Sequence, residues 1–305
     1  MIPIAVSHRV GRIGVMMLPA DSHVHSEWSW DTGGPRSGAA GRMRATCAHA
    51  VKIGLPTIIF TEHLDIPRTW RTAPQDLMPH QQHMLNDDGL VDFAEFDAAG
   101  YFESIERCRH QFPDLRILTG VEFGQPHLHN VDVSKIIDLS NVDRVNGSLH
   151  TLQFGSVRAE PHTLFREHPV EMVMWEYLAE IPRMVDASDS FEVFSHIDYP
   201  IRMWPVSDRG PFDPRQFEEG FREAMRAIAV SERALEMNTR RLWSWIPQWW
   251  AEEGGKTITF GSDAHEPEAI ASHFPEAVAM VERFGFKPGR SHEAFWSRTH
   301  TRGVS

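Results

Sequence analysis

The chain has only two cysteines, Cys47 and Cys108, among 305 residues. That excludes a disulfide framework and a zinc site built from cysteine. No stretch approaches the roughly 20 apolar residues of a transmembrane helix. Positive charge is also short, and the formal net charge is -12. So acidic a protein is a poor sequence-independent binder of nucleic acid, because it cannot replace phosphate counterions. The apolar run after Arg9 and Arg12 is too short for a signal-peptide core, and Asp21 follows at once. Residues 1–19 are read as an N-terminal extension, with Met16 or Met17 as alternative starts, and the protein as cytoplasmic. The remainder is ordinary for a globular protein with a large core, at 41% hydrophobic and 24% charged residues.

What is present is a series of short polar motifs, each closing an apolar or β-branched run. Asp21-Ser22-His23-Val24-His25-Ser26 comes first. Residues i and i+2 of a strand share a face, so both imidazoles can reach one metal ion. Thr61-Glu62-His63, Gly120-Val121-Glu122-Phe123, Ser148-Leu149-His150, Ser195-His196-Ile197-Asp198 and Gly261-Ser262-Asp263-Ala264-His265 follow in order. Together they are a scattered set of nitrogen and oxygen ligands delivered by successive strand ends.

The pattern alternates strands with helices. Strands are expected at 20–25, 57–61, 116–122, 142–148, 190–196, 234–238 and 257–262. Val170, Val173, Met174, Tyr177, Leu178 and Ile181 trace one helical face, with Pro169 at its first turn. A second helix opens at Asp213-Pro214 and carries Phe217, Phe221, Met225 and Ile228. A third runs from about Ser37 to Gly54. About seven βα units without a linker read as one α/β barrel over 20–305, with its site at the C-terminal strand ends. Residues 66–93 break the alternation with Pro67, Pro74, Pro79, His80 and His83. A long irregular insertion beside the expected site is either a lid or a variable surface loop.

These motifs, with Glu236-Met237-Asn238-Thr239, resemble the PHP (polymerase and histidinol phosphatase) superfamily in its histidinol-phosphatase-like branch. The resemblance spans residues 20–265. It implies a distorted (β/α)7 TIM-like barrel and two to three divalent ions, zinc, manganese or iron. One ion would take His23, His25, Glu122 and Asp263, with Glu122 bridging to a second held by His150 and His196. A third would take His63, His265 and Asp31, where histidinol phosphatases of this kind often carry histidine. The implied activity is a metal-dependent phosphomonoesterase using a hydroxide shared by two metals. Its implied substrate is a small phosphorylated alcohol, L-histidinol phosphate first, with nucleotides or other phosphodiesters as the alternative. Glu122, Asp263 and Arg202 are the expected catalytic residues.

Arginine matches phosphate oxygens with its planar fork. Arg202, just beyond the fifth strand, is the first choice for a phosphate contact and Arg240 the second. Asn238 either orients substrate or caps its turn. His127-Leu128-His129, His80, His83, His49 and His110 fall outside the ligand pattern. Trp243, Trp245, Trp249 and Trp250 are expected to pack a helix onto the barrel. An amidohydrolase would want a bridging lysine at a strand end, and Lys135 lies in a helical stretch instead. A non-catalytic module built on an old hydrolase barrel is disfavoured, because the ligand set is intact.

Overall fold

The computed structural model describes residues 18–299, so the readings placed on residues 1–17 lie outside the described residues. Seven parallel strands follow the chain: β1 (Asp21–Val24), β2 (Thr57–Leu64), β3 (Arg116–Gly124), β4 (Arg144–Ser148), β7 (Val193–Phe194), β8 (Ala234–Asn238) and β9 (Thr257–Gly261). Between β4 and β7 lies a separate antiparallel hairpin, β5 (Leu152–Phe154) and β6 (Val157–Ala159). A short antiparallel strand, β10 (Trp296–Ser297), edges the main sheet beside β9. The sheet curls until its ends meet. Val24 bridges to Ala264, His25 N–H donates to Ala264 O, and Asp263 N–H donates to His23 O at 2.8 Å. The result is a distorted (β/α)7 barrel of the expected class.

Alternation along the strands decides which side chains face where. Ile58, Phe60 and Leu64 of β2, Val121 and Phe123 of β3, Leu235 and Met237 of β8, and Ile258 and Phe260 of β9 join the apolar core. The intervening positions include His63, Glu122, Glu236, Asn238 and Gly261. His63 and Glu122 are direct partners in the β2–β3 register. The barrel therefore keeps its apolar layer on one strand face and its polar residues at the ends of the other.

The helices form the covering layer. They are α1 (Arg42–Ile53), α2 (Ala98–Gln111), α3 (Pro126–Ile136), α4 (Pro161–Glu167), α5 (Val170–Ala187), α6 (Val206–Arg209), α7 (Glu218–Val230), α8 (Trp245–Glu252) and α9 (Phe274–Glu282). The expected faces of α5 and α7 are buried, as are Trp245, Trp249 and Trp250 of α8, with Trp243 packed beside them. Helix α1 starts later than Ser37, because the glycine-rich segment before it turns repeatedly. Gly33, Gly34 and Gly41 adopt positive φ there, which glycine tolerates and most residues do not. The helix expected at Asp213-Pro214 begins as a 3-10 turn over Pro214–Phe217. The strand expected over 190–196 shrinks to two residues, and β2 and β3 run two or three residues further than expected.

Candidate metal centre

Seven of the nine expected ligands come from the strands or the residues just beyond them: His23, His25, His63, Glu122, His150, His196 and Asp263. Asp31 lies in a 3-10 turn after β1, and His265 two residues beyond Asp263. The fold brings all nine together. His23 Nε2 lies 3.0 Å from His25 Nε2 and 3.2 Å from Glu122 Oε2. His196 Nε2 lies 2.6 Å, and His150 Nε2 3.1 Å, from Glu122 Oε1. His63 Nδ1 is 3.1 Å from Glu122 Oε2. Asp31 Oδ2 is 2.8 Å from His265 Nε2 and 3.8 Å from His63 Nε2. His25 Nε2 is 3.5 Å from Asp263 Oδ1. Glu122 is thus the hub of the cluster.

Buried carboxylates and hydroxyls behind the cluster aim these side chains. His23 Nδ1 donates to Glu236 Oε1 at 2.6 Å. Ser29 donates its hydroxyl to Glu62 Oε2 at 2.6 Å and so can accept from His25 Nδ1 at 2.9 Å. Each imidazole then turns its Nε2 inward, as partners of metal-binding histidines do. His265 Nδ1 faces Asp263 O at 3.1 Å, which likewise directs Nε2 at Asp31. Gly261 leaves room for this arrangement, since a Cβ there would collide with Glu236 Oε1 and His23. Asp263 (φ 53) and His196 (φ 20) adopt backbone conformations unusual for residues with side chains, a form of strain that collects at functional sites.

The electrostatics are those of a site assembled against the preference of burial. Burial raises carboxylate pKa, yet the surrounding His23, His150, His63 and His196 hold Glu122 well below its ordinary range. Burial likewise opposes ionisation of Asp263, and Arg202 followed by His23 reverses it to a strongly lowered value. Burial disfavours protonated histidine, but Glu236 and Glu122 raise His23, and Asp31 raises His265 to about 9. His25, buried and facing other imidazoles, falls to about 3. Glu62 shows the contrary case: burial lifts it to about 7 despite the Ser26 and Ser29 hydroxyls.

The residues fit a divalent cation. Glu122 Oε2, His63 Nδ1 and Asp31 Oδ1 are buried with no hydrogen-bond partner, and orphaned polar atoms of this kind are rare in native proteins. Ligand atoms group as His23, His25 and Asp263; as His23, Glu122 and His196; as His25, His63 and His265; and as His63, Asp65 and His150. Mixed imidazole and carboxylate sets suit zinc, manganese or iron. Imidazoles bind metal in their neutral form, so any proton on these histidines would be released on metal binding.

Sequence reasoning missed Asp65, Glu62 and Glu236 as members of the site. Alternation offered a signal for Asp65 and Glu236, but not for Glu62, which shares the strand face of Phe60 and Leu64. Asp65 lies two residues after His63, and Glu236 lies between the outward Leu235 and Met237. Asp65 Oδ1 is 3.5 Å from His150 Nδ1, and its Oδ2 accepts from Trp30 Nε1 at 2.9 Å. Gly124 makes space for that carboxylate.

Arg202 donates from Nη1 to Asp263 Oδ2 at 2.5 Å, while its buried Nε and Nη2 have no partner. Arg240 is more exposed, with Nη1 4.0 Å from Asp263. Asn238 Oδ1 accepts from Arg240 N–H at 3.1 Å, which is the capping alternative, and its Nδ2 faces Glu236 at 3.3 Å. His127 pairs with Glu180 at 2.9 Å, away from the cluster. His80 and Gln81 each contact Asp31 O at 2.8 Å from the insertion. Lys135 pairs with Asp132 on α3. Seven of the nine cluster residues, all but His23 and His25, line one cavity of about 180 Å³ with Arg202 and the insertion residues Trp70, Thr72 and Asp76.

A sequence model of the PHP domain matches residues 21–240. The histidinol-phosphatase of Lactococcus lactis is 28% identical over 280 residues, covering 88% of this chain and 93% of that protein. A probable histidinol-phosphatase of Clostridium acetobutylicum is 27% identical over 279 residues, covering 88% and 94%. The crystal structure of histidinol phosphate phosphatase from Lactococcus lactis, complexed with zinc, L-histidinol and phosphate, superposes with a TM-score of 0.70. It is 25% identical, and the match covers 88% of this chain and 94% of that one.

Proposed function

The chain belongs to the PHP domain family and is a metal-dependent phosphatase, and we propose that it hydrolyses L-histidinol phosphate to histidinol and phosphate. The observation that carries this reading is the buried guanidinium of Arg202. It lines the same cavity as the His-carboxylate cluster and keeps two donor atoms unpaired. A phosphate monoester offers the terminal oxygens those donors need. The likeness to a histidinol-binding relative over most of both chains supports the alcohol chosen.

In this reading the nine residues His23, His25, Asp31, His63, Glu122, His150, His196, Asp263 and His265 hold two to three divalent ions. When bound, such ions supply positive charge for phosphoryl oxygens and lower the pKa of water toward neutrality. The protein's own groups do the rest. Glu122 stays ionised and presents both oxygens to the imidazoles around it. Glu236 and Ser29 fix the orientation of His23 and His25. Asp263, held ionised by Arg202, suits a cation ligand better than a proton donor. Arg202 steadies the phosphoryl group as its charge redistributes. Residues 66–93 act as a roof over the cavity within a single barrel domain spanning 20–305.

No helix among the described residues is long and apolar enough to cross a membrane. The two buried, unpaired cysteines support a reducing cytoplasmic setting. The test is phosphate release over a panel of histidinol phosphate, sugar phosphates, nucleotides and phosphodiesters, with metal content measured on the same sample. Histidinol phosphate should give the highest kcat/KM. Turnover of phosphodiesters alone would replace this reading.

A further inference from the structure

The cavity lining divides by origin. Strand ends and the turns that follow them supply the metal-type residues. Most of the remainder comes from the insertion, with Trp70, Thr72 and Asp76, and from the turn entering α4, with Glu160 and His162. These two segments are tied to each other. Arg71 N–H donates to Arg158 O at 2.8 Å, and Thr163 and Arg166 both donate to Asp76.

A line of contacts leads from the cluster to this second group. The Tyr199 ring lies 5.2 Å from the His196 ring and 5.0 Å from the His150 ring. Its hydroxyl donates to Glu160 Oε2 at 3.3 Å. His162 Nδ1 lies 3.2 Å from the same oxygen. Arg166 offsets the charge of Asp76, whereas Glu160 is paired with no arginine or lysine among the described residues. Nearby, Trp70 Nε1 and Thr72 Oγ1 are buried without partners, although they belong to residues that line the cavity. Trp30 and Trp70 add aromatic surface.

The geometry points to Glu160 as a specificity residue that selects phosphate monoesters whose alcohol carries a cationic nitrogen. The inference rests on the phosphatase reading and deepens it by naming what the enzyme recognises beyond the phosphate. The phosphoryl end belongs with Arg202 and the cluster. Tyr199 then spans the distance to Glu160, so the leaving alcohol runs along its ring. An ammonium or imidazolium at that point meets a carboxylate and aromatic faces, both of which favour cations. A second phosphate or a carboxylate at the same point is repelled. The unpaired Trp70 N–H and Thr72 hydroxyl provide uncharged contacts for the rest of the alcohol.

The test compares wild-type protein with Glu160→Gln on three esters of similar size: O-phosphoethanolamine, 2-hydroxyethyl phosphate and phosphoglycolate. Their free ends are cationic, neutral and anionic. Wild type should prefer the cationic ester. Glu160→Gln should lower the cationic-to-neutral ratio of kcat/KM by roughly tenfold or more, mainly through KM. An unchanged ratio, including a uniform loss on all three esters, would overturn the inference. Calorimetric binding of histidinol to both proteins provides a readout without turnover. It should weaken by a similar factor in the variant, and equal affinity would overturn the inference as well. Retained Glu160-dependent binding with no hydrolysis of histidinol phosphate would defeat the substrate reading alone and leave the inference standing.

Discussion

His63 and Trp70 line the same cavity but are held there by different means. His63 stands on β2, opposite Glu122 in an unbroken parallel register. Trp70 sits in an irregular segment whose small apolar cluster is only Trp70, Met84, Val91 and Phe93, with Trp30 against it. The floor of the cavity inherits its geometry from the main sheet. The roof is held by side-chain pairs, one minor cluster and the backbone hydrogen bond from Arg71 N–H to Arg158 O on the β5–β6 hairpin. In the proposed reading, the difference means that reaction type and substrate choice would be encoded separately: the floor concentrates charge, and the roof would decide what else fits.

The sharpest way to break this comparison is at the hub of the floor. Glu122→Gln should abolish hydrolysis, because an amide cannot give the same charge to two sides of the cluster. The loss should exceed about a thousandfold, while far-UV circular dichroism stays unchanged, since the apolar core lies on the other strand face. Near-normal activity with metals retained would show that the floor does not work as described.

Arg202→Ala is the intermediate case. It removes two unpaired donors and uncovers Asp263. The expected loss in kcat/KM for a phosphate monoester is about 1–3 kcal/mol of transition-state stabilisation. Steady-state kinetics decides it, and an unchanged value would remove Arg202 from the site.

The smallest effect belongs to the roof. Burial opposes ionisation of Asp76, but Arg166 and Thr163 overcome it and lower its pKa. A lowered carboxylate pKa stabilises the fold above the ordinary carboxylate range, and that contribution fades as pH falls. Asp76→Asn should therefore cost no more than about 1 kcal/mol near neutral pH, because Arg166 is half exposed and screened. The difference from wild type should shrink in acid. Denaturant midpoints at several pH values measure it, and a difference that grew in acid would contradict the assignment.

The same division explains what could be read from sequence. His63, Glu122 and Asp263 were legible as polar residues closing apolar runs at strand ends, and strand alternation further aimed His23 and His25 to one side. The faces of α5 and α7 were legible from helical spacing. Glu236 carried the same signal but has no obvious chemistry until His23, distant in sequence, is seen against it. Asp65 was hidden because β2 continues through Leu64, past the apolar run that marks the strand in the sequence. The β5–β6 hairpin and the contact of Glu160 with Tyr199 were not legible. They depend on loops meeting across the barrel mouth, where no residue periodicity applies.

The central claim is that a metal cluster forms around Glu122 at the strand ends. An anomalous-scattering map of crystals of the purified protein, with elemental analysis of the same sample, tests it most directly. Two or three peaks should lie within coordination distance of His23, His25, Glu122 and Asp263, with His63, His150, His196, His265 and Asp31 completing their shells. A map with no peak near His23 and Glu122 would contradict the claim.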